Sequence, residues 1–304
     1  MAAGKLTRRQ HIVTRGLLAK FVDTDGALWV YEKHKPARKS RPENECHERD
    51  FYEYEFNGRK TQNRYENWLA RIENDAIPLF ELLIGRQTLN RDQAVIVSSF
   101  IASLFGRSRK VRSQISGAMV SKFRDQTRDP RFVRELQYQL FQQGELRFAA
   151  DLQRAVDELR TAMEDSPSFY HVVGLPHRTQ VVAEAIMRKS WHTIEAPPGL
   201  SFVTSDSPVS TAELVDGKVL PGVGFGKENA AVFLPLTPRH AFAASRVGWG
   251  AVADPKFVES LNLLTVHFAH RNVYADTSSP ALQAVVDAGI NQLVFGQNAF
   301  LPNN

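Results

Sequence analysis

The order of apolar and polar positions divides the chain into a strand-like beginning, a helical middle and a strand-rich end. Near the N-terminus, Ala27–Lys33 (ALWVYEK) is rich in aromatic and β-branched residues, and Arg49–Gly58 (RDFYEYEFNG) alternates aromatic residues with acids. Both patterns are typical of strands. The second ends at Asn57-Gly58, a signal for a tight hairpin turn. We therefore expect the first 60 residues to be largely extended.

From about residue 62 to residue 193 the apolar positions recur every three or four residues, which predicts helices. Pro78 marks a break in the first helix, because proline cannot continue the hydrogen-bond ladder. Asn90 is a candidate N-cap for the second helix, whose stretch Ala94–Phe105 is apolar enough to be buried. Further helices are expected at residues 130–143, 146–163 and 178–193.

The composition changes at Pro197-Pro198-Gly199, after which short strand-like segments dominate. The predicted strands are residues 200–204, 230–237, 241–245 and 272–276, with helices at residues 255–270 and 280–290. Strands at both ends of a helical middle predict one α+β domain over residues 1–304, in which the helices pack on a mixed sheet built from N-terminal and C-terminal strands. The alternative is a division near residue 197 into a mainly helical part (1–196) and a strand-rich part (197–304).

The composition agrees with a globular protein that does not need disulfides. The chain has 304 residues, of which 43% are hydrophobic and 23% are charged, and its single cysteine is Cys46. No apolar run approaches the roughly 18 residues that a membrane span needs. The N-terminus has basic residues but no hydrophobic signal-peptide region. We expect a cytoplasmic protein without a membrane partner.

Positive charge is concentrated in one part of the chain. The formal net charge is +5, and the segment Gly106–Arg134 carries nine Lys or Arg residues against two acids. Such a segment attracts polyanions by releasing their counterions. The alternative is a solvated helical face, which is the commoner meaning of a charge run. Nucleic acid is therefore a candidate partner.

Several motifs that suggest chemistry have simpler structural interpretations. The glycine-rich Leu220–Ala230 (LPGVGFGKENA) lacks the spacing and the Ser or Thr after lysine that a phosphate-binding loop requires, and is expected to be a mobile loop. Asp206, Asp216 and Lys218 resemble the acidic set of some nucleases, but Asp216-Gly217 is also a strong hairpin signal. The histidine pair His267 and His270 has no partner pair with zinc-ligand spacing.

Motifs spread along most of the chain resemble the bacterial family designated DUF4238, a domain of unknown function. The N-terminal match is RQHIVTRGLLAKF (residues 9–21), where Arg9, Thr14 and Arg15 replace the Asn, Pro and Gln usual in that family. The remaining matches are GALWVYEK, RDFYEY, ARIEN with Glu73, FIASLFGRS with Arg107, FVTSDSPV with Asp206, FLPLTPRHAF and LNLLTVHFAHRNVYA. The resemblance implies no particular reaction, only that these motif residues belong together.

The polar residues inside these motifs come from separate chain regions, as active-site residues do. We predict catalytic roles for His11, Glu73 and Asp206, with His11 as general base or metal ligand. We predict substrate binding by Gln10, Arg107, Arg109, Arg112 and Ser205. Glu73 and Asp206 are the candidates for holding a divalent metal such as Mg²⁺. The alternative is a buried hydrogen-bonded network without chemistry.

Three functions remain open from the sequence. The first is a nuclease or phosphodiesterase-like hydrolase of bacterial conflict or phage defence, acting on RNA or DNA. The second is a non-catalytic sensor or regulatory module that binds nucleic acid or another ligand. The third is a hydrolase in which Ser205, His11 and Asp206 form a nucleophilic set, although no glycine-flanked nucleophile turn supports it. Whether the chain is an enzyme is therefore a question for the structure.

Overall fold

The computed structural model describes residues 9–53, 55–56, 59–60, 64–113, 169–215, 218–246, 248 and 250–289, with a few short pieces between residues 125 and 154. The described residues form helices and antiparallel sheets, which confirms the predicted α+β class. The predicted helices at residues 130–143 and 146–163 fall almost wholly outside the described residues.

The N-terminal part consists of short strands, as the patterns predicted. They are β1 (Arg9–His11), β2 (Leu28–Glu32), β3 (Arg38–Ser40), β4 (His47–Arg49), β5 (Glu55–Phe56) and β6 (Arg59–Lys60), with a short helix α1 (Arg15–Leu18) after β1. Strand β2 confirms the prediction for Ala27–Lys33, and β5 pairs with β6, while the predicted turn at Asn57-Gly58 lies outside the described residues. Residues 50–53 are a turn rather than a strand, because the Gln10 side chain binds the backbone N–H of Tyr52.

Helices follow in the middle of the chain, as the spacing of apolar residues predicts, although the helix at residues 169–173 was not among those expected. They are α2 (Arg64–Ala76), α3 (Phe80–Ile84), α4 (Arg91–Gly106), α5 (Phe169–Val173) and α6 (Leu175–Met187). Pro78 lies in the 3₁₀ turn that separates α2 from α3. Asn90 caps α4 in a reciprocal capping box with Gln93. The prediction of helix as far as Thr193 is wrong beyond Met187, because the aromatic and β-branched residues after it join a sheet as β7 (Ser190–Glu195).

The remaining elements are β8 (Thr204–Ser205), β9 (Ser210–Val215), β10 (Lys218–Pro221), β11 (Ala230–Thr237), β12 (His240–Ser245), helix α7 (Pro255–Phe268), β13 (Asn272–Ala275) and helix α8 (Pro280–Gly289). Five strands form one sheet in the order β10-β9-β11-β12-β7, and four form another in the order β3-β2-β13-β8. N-terminal and C-terminal strands do meet in the second sheet. The expectation of one mixed sheet is corrected, since these two sheets are separate and their ladders are antiparallel.

The five-stranded sheet is buried on both faces. Alternate β11 residues point to opposite sides, and Val232 and Leu234 pack against α3 and α4 while Phe233 packs against Phe257 and Leu261 of α7. Burial on both faces explains why Ala230–Leu236 is apolar without alternation. The larger core cluster combines residues from both sides of residue 197, from Val13 to Tyr274.

No helix among the described residues has the length and apolar character to cross a bilayer. The division near residue 197 stays a prediction.

Candidate functional site

The sequence-predicted residues surround the ribbon formed by β1 and β4. In its antiparallel register Arg9 lies opposite Arg49, Gln10 opposite Glu48, and His11 opposite His47. Opposed residues share a face of a strand pair, and neighbouring residues alternate between faces. One side, which we call the ribbon face, therefore carries Arg9, His11, His47 and Arg49. The other side carries Gln10 and Glu48.

The Gln10 side chain has a structural role. Its side chain is fully buried, its Oε1 accepts from the Tyr52 backbone N–H at 2.6 Å, and its Nε2 donates to Glu53 Oε1 at 3.1 Å. The Tyr52 hydroxyl donates to the His11 carbonyl at 2.8 Å. These bonds fix the turn at residues 50–53 against β1 and so hold the ribbon face in position. Because the side chain is fully buried, the predicted substrate-binding role of Gln10 stays a prediction without a supporting contact.

The ribbon face brings two imidazoles and two guanidiniums together. The ring centroids of His11 and His47 are 6.5 Å apart, and Arg9 Nη2 lies 2.8 Å from His47 Nε2. The His11 side chain is 34% exposed and that of Arg49 is 68% exposed, so both are open to a ligand. Burial, with help from the Arg9 charge, lowers the pKa of His47 below its ordinary value of 6.5, which keeps this ring neutral at pH 7.

Helix α2 supplies two carboxylates behind the ribbon. Glu66 Oε1 lies 3.9 Å from His11 Nδ1, and Glu73, seven residues later on the same helix face, receives Arg107 Nη1 at 2.5 Å. Arg107 is 1% exposed. Burial opposes its charge, but Glu73, Tyr52 and Glu66 more than compensate and raise the pKa of Arg107. The Glu73–Arg107 pair joins α2 to the end of α4, with Arg107 buried and the Glu73 side chain 17% exposed.

Arg109 and Arg112 both bind Glu48 of the ribbon. The Arg109 Nε to Glu48 Oε2 distance is 3.0 Å, and the Arg112 Nη1 to Glu48 Oε1 distance is 3.3 Å. The Arg112 guanidinium also lies 4.3 Å from the centroid of the Phe51 ring, a cation–π contact. The beginning of the basic segment is thus packed against the protein instead of forming a solvated face. Most of its remaining cations lie outside the described residues.

Asp206 holds a chain reversal together. Its carboxylate accepts the backbone N–H groups of His270, Arg271 and Asn272 at 2.8, 2.9 and 3.2 Å. Arg109 Nη1 lies 4.0 Å from Asp206 Oδ2. Burial raises the pKa of Asp206, while the N–H groups and the Arg109 charge act in the opposite direction. These contacts attach the end of β8 to the beginning of β13.

Ser205 completes the same turn. Its hydroxyl oxygen accepts the Ser207 backbone N–H at 3.1 Å, the side-chain turn expected from the sequence Thr-Ser-Asp-Ser-Pro. No contact between Ser205 or Asp206 and His11 is found among the described residues, so the structure gives no support to a nucleophilic set of these three. Arg109, which contacts both Asp206 and Glu48, connects Asp206 to the ribbon.

The described carboxylates do not form a metal centre. No group of three or more His, Cys, Asp or Glu side chains within the described part of the chain is arranged to hold a metal ion. Glu73 contacts Arg107, and Asp206 contacts backbone amides. Their metal-binding and catalytic roles therefore stay predictions without a supporting contact.

Cys46, which precedes β4, is buried and is not an activated thiol. Its Sγ lies 3.0 Å from the Tyr274 hydroxyl, and burial raises the pKa of the thiol. The Cys46 carbonyl accepts the Ile12 backbone N–H at 2.7 Å and so extends the ribbon pairing by one bond.

His47 and its partnership with His11 were missed by sequence reasoning. The signal was present, since Arg-Gln-His at residues 9–11 and His-Glu-Arg at residues 47–49 are mirror-related. Two such strands place like residues opposite each other when they pair antiparallel. The sequence does not predict that these two strands pair, because both are three residues long and 35 residues separate them.

Comparison with known proteins agrees with the resemblance seen in the motifs. The family model described as "Protein of unknown function (DUF4238)" matches residues 9–279. No curated protein matched the chain, and no solved structure matched it. The match begins at the first residue of the ribbon and includes all eight residues predicted for the site. The chain is therefore a member of the DUF4238 family.

Proposed function

We propose that this protein is a phosphodiesterase that cleaves RNA at the ribbon face, with His11 and His47 as its acid–base pair. The observation that carries the proposal is the presence of two imidazoles, 6.5 Å between ring centroids, next to a pair of exposed arginines on the same side of the ribbon. Arginines bind phosphate oxygens through charge-assisted hydrogen bonds. Histidine is the side chain best suited to moving protons near pH 7.

The chemistry follows from this set of groups. The neutral imidazole of His47 takes the proton of a ribose 2′-hydroxyl, whose oxygen attacks the adjacent phosphorus. The bond between phosphorus and the 5′-oxygen breaks, and the second imidazole, His11, gives its proton to the departing 5′-oxygen. The products are a 2′,3′-cyclic phosphate and a 5′-hydroxyl. The lowered pKa of His47 favours it as the base, and Glu66 is placed to orient His11.

The arginines supply binding and charge stabilisation. Arg49 is exposed, with its Nε 3.5 Å from Asp50 Oδ2, and Arg9 is exposed, with its guanidinium against His47. A phosphate bound by the two arginines can accept the hydrogen bonds of the Arg9 guanidinium in place of His47. His47 Nε2 is then free to accept the proton of the 2′-hydroxyl. Charge developing on the phosphoryl oxygens is then stabilised by fixed cations, as in other phosphoryl transfers.

RNA is favoured over DNA by the residues available. Glu73 and Asp206, the two carboxylates predicted to hold a metal, are engaged by Arg107 and by backbone amides. An imidazole pair works best on a nucleophile held next to the phosphorus, and the ribose 2′-hydroxyl is such a nucleophile. This is why the proposal rests on the imidazoles instead of on Glu73 and Asp206.

Cleavage of labelled single-stranded RNA and DNA of the same sequence tests the proposal, with EDTA and with Mg²⁺. We expect RNA cleavage in EDTA by the unaltered protein and a loss of at least 100-fold in His11→Ala and in His47→Ala, because general acid–base groups typically contribute 10²–10⁴-fold. His177→Ala, which alters an exposed histidine on α6, is the matched control and should cleave normally.

Three results would contradict the proposal. They are absence of RNA cleavage by the unaltered protein, equal cleavage by His11→Ala, and cleavage that EDTA abolishes. Salt-sensitive retention of RNA without cleavage would support the binding-module alternative instead. Thermal unfolding of each variant must match that of His177→Ala, so that a loss of activity is not a loss of fold.

A further inference from the structure

A cavity of about 370 Å³ is lined in part by Ser108, Lys110 and Val111, the sequence neighbours of the Arg109 that binds Glu48 of the ribbon. Its walls come from the end of α4, the helical segment 109–113, the turn after Asp206, strand β9 and the end of α7. The glycine-rich segment after β10 closes it, with Gly222 at φ +77 and its N–H bonded to the Thr211 carbonyl at 2.9 Å. A positive φ of this kind explains a glycine at residue 222.

Most of the cavity wall is apolar. The apolar lining residues are Phe105, Val111, Val209, Val223, Phe225 and Phe268. Phe105 and Phe225 pack edge to face with ring centroids 4.6 Å apart, so this wall is a defined surface. A concave apolar site of a few hundred Å³ with few polar groups is typical of a small-molecule site.

Two buried hydroxyls on the wall lack partners. Ser207 is 4% exposed and Thr211 is 1% exposed, both line the cavity, and neither Ser207 Oγ nor Thr211 Oγ1 has a hydrogen-bond partner among the described residues. An unpaired buried hydroxyl costs about 1–3 kcal/mol. Neither hydroxyl oxygen is exposed to the cavity in this arrangement, and a rotation of each side chain would bring it to an acceptor oxygen of a ligand.

Lys110 brings a positive charge to the same cavity without a carboxylate to balance it. Its Nζ lies 3.4 Å from the His267 carbonyl and 5.0 Å from the centroid of the Phe268 ring, and no ion pair of Lys110 is found in the described part of the chain. Burial lowers the pKa of this lysine, the direction expected for an uncompensated charge.

We propose that this cavity is a binding site for a small organic monocarboxylate with an apolar body. The apolar walls take the body, and the carboxylate accepts from Lys110, Ser207 and Thr211. One lysine on the wall suits one carboxylate better than a doubly charged phosphate. Because Ser108 and Lys110 flank Arg109 and Ser207 follows Asp206, the ligand would fix the segment that binds Glu48 of the ribbon.

Binding of octanoate and of 2-naphthoate tests the site, each compared with its uncharged amide by calorimetric titration on the full chain. We expect the acids to bind at least tenfold more tightly than the amides. Lys110→Gln should remove that difference, because it keeps the side-chain length but not the charge. Lys256→Gln, at an exposed position on α7, is the matched control and should bind like the unaltered protein.

A second variant separates binding from folding. Thr211→Val keeps the shape of the side chain and removes one unpaired buried hydroxyl from a strand, so the variant should be at least as thermally stable as the unaltered protein. It should nevertheless bind both acids at least fivefold more weakly.

The site is refuted if neither acid binds to the unaltered protein, if the amides bind equally well, or if Lys110→Gln binds the acids unchanged. The RNA-cleavage assay uses neither probe and neither variant, so the two proposals fail independently.

Discussion

At the scale of single residues, the polar motif side chains divide into those that hold the structure and those that face outward. Gln10, Arg107 and Asp206 are at most 1% exposed, and the Gln10 amide, Arg107 Nη1 and the Asp206 carboxylate are hydrogen-bonded to neighbouring groups. His11 and Arg49 reach solvent. The sequence showed which residues are polar in apolar surroundings, but burial depends on strand pairings and loops that only the folded chain defines.

Substitutions at Gln10 and His11 should separate these two kinds of residue. Gln10→Leu keeps the volume but leaves the buried Tyr52 N–H without its acceptor, so we expect a loss of about 1–3 kcal/mol in the free energy of unfolding. His11→Ala removes a partly exposed ring and should cost less than about 1 kcal/mol. Urea unfolding measures both values. Equal losses would mean that His11 is also a structural residue.

His171 makes folding stability depend on pH. It is fully buried, neither ring nitrogen has a hydrogen-bond partner among the described residues, and burial together with Arg178 and Arg112 lowers its pKa from 6.5 to about 3. Between these two pH values His171 is therefore protonated in the unfolded chain and neutral in the folded chain. Stability is retained above the ordinary histidine pKa and falls as the pH drops below it, by about 2 kcal/mol from pH 7 to pH 5.

His171→Phe isolates this contribution. The ring keeps its place beside Phe51, whose centroid is 6.0 Å away, but cannot titrate. The variant should lose about 2 kcal/mol less than the unaltered protein between pH 7 and pH 5. Parallel pH dependence in His171→Phe and the unaltered protein would show that His171 is not the group responsible.

At the scale of elements, long periodic segments were predictable and short ones were not. Asn90 and the apolar residues after it identified α4, and Pro78 identified the end of α2, because caps and prolines act locally. The helix predicted for residues 178–193 includes the first four residues of β7. The sequence could not show this strand, because its six residues adopt strand geometry only through pairing with β12. The three-residue strands of the ribbon are shorter still, and they pair only because the fold brings two distant parts of the chain together.

The ribbon as an element should bind RNA through its two arginines. The double variant Arg9→Gln with Arg49→Gln removes two cations from one face, so RNA affinity should fall. The slope of log affinity against log salt concentration should decrease in magnitude by about 1 to 1.5, as expected for two lost contacts to a single strand. Fluorescence anisotropy with labelled RNA, using the His11→Ala background to prevent cleavage, gives the slope.

Arg91→Gln is the control, because Arg91 is exposed at the opposite end of α4 from the Arg107 segment. An unchanged slope in the double variant, or the same decrease in Arg91→Gln, would place the RNA elsewhere on the molecule.

At the scale of the whole molecule, the two ends of the chain meet in one sheet. Strand β13 lies between β2 from the N-terminal part and β8 from the C-terminal part, and its Tyr274 packs in the same core cluster as Val30 and Phe100. Strands at both ends of the sequence predicted this meeting. The sequence did not predict the five-stranded sheet as a separate layer, because hydrophobic periodicity and composition do not show which strands become neighbours.

Separate expression of residues 1–196 and 197–304 tests whether the chain divides near residue 197. The first piece would lack β13, the partner of β2, and the second would lack β2 and the helices that cover β11. We expect neither piece to unfold cooperatively or to give a dispersed NMR spectrum. A folded piece of either kind would support the two-part organisation.

The most direct test of the account is to identify the ends produced when the protein cuts a short RNA in the presence of EDTA. Mass spectrometry distinguishes the products. The account predicts 2′,3′-cyclic phosphate and 5′-hydroxyl ends, lost in His11→Ala and in His47→Ala and unchanged in His177→Ala. An uncut RNA, or 5′-phosphate ends that form only with added metal, would contradict the assignment of the ribbon histidines as the catalytic pair.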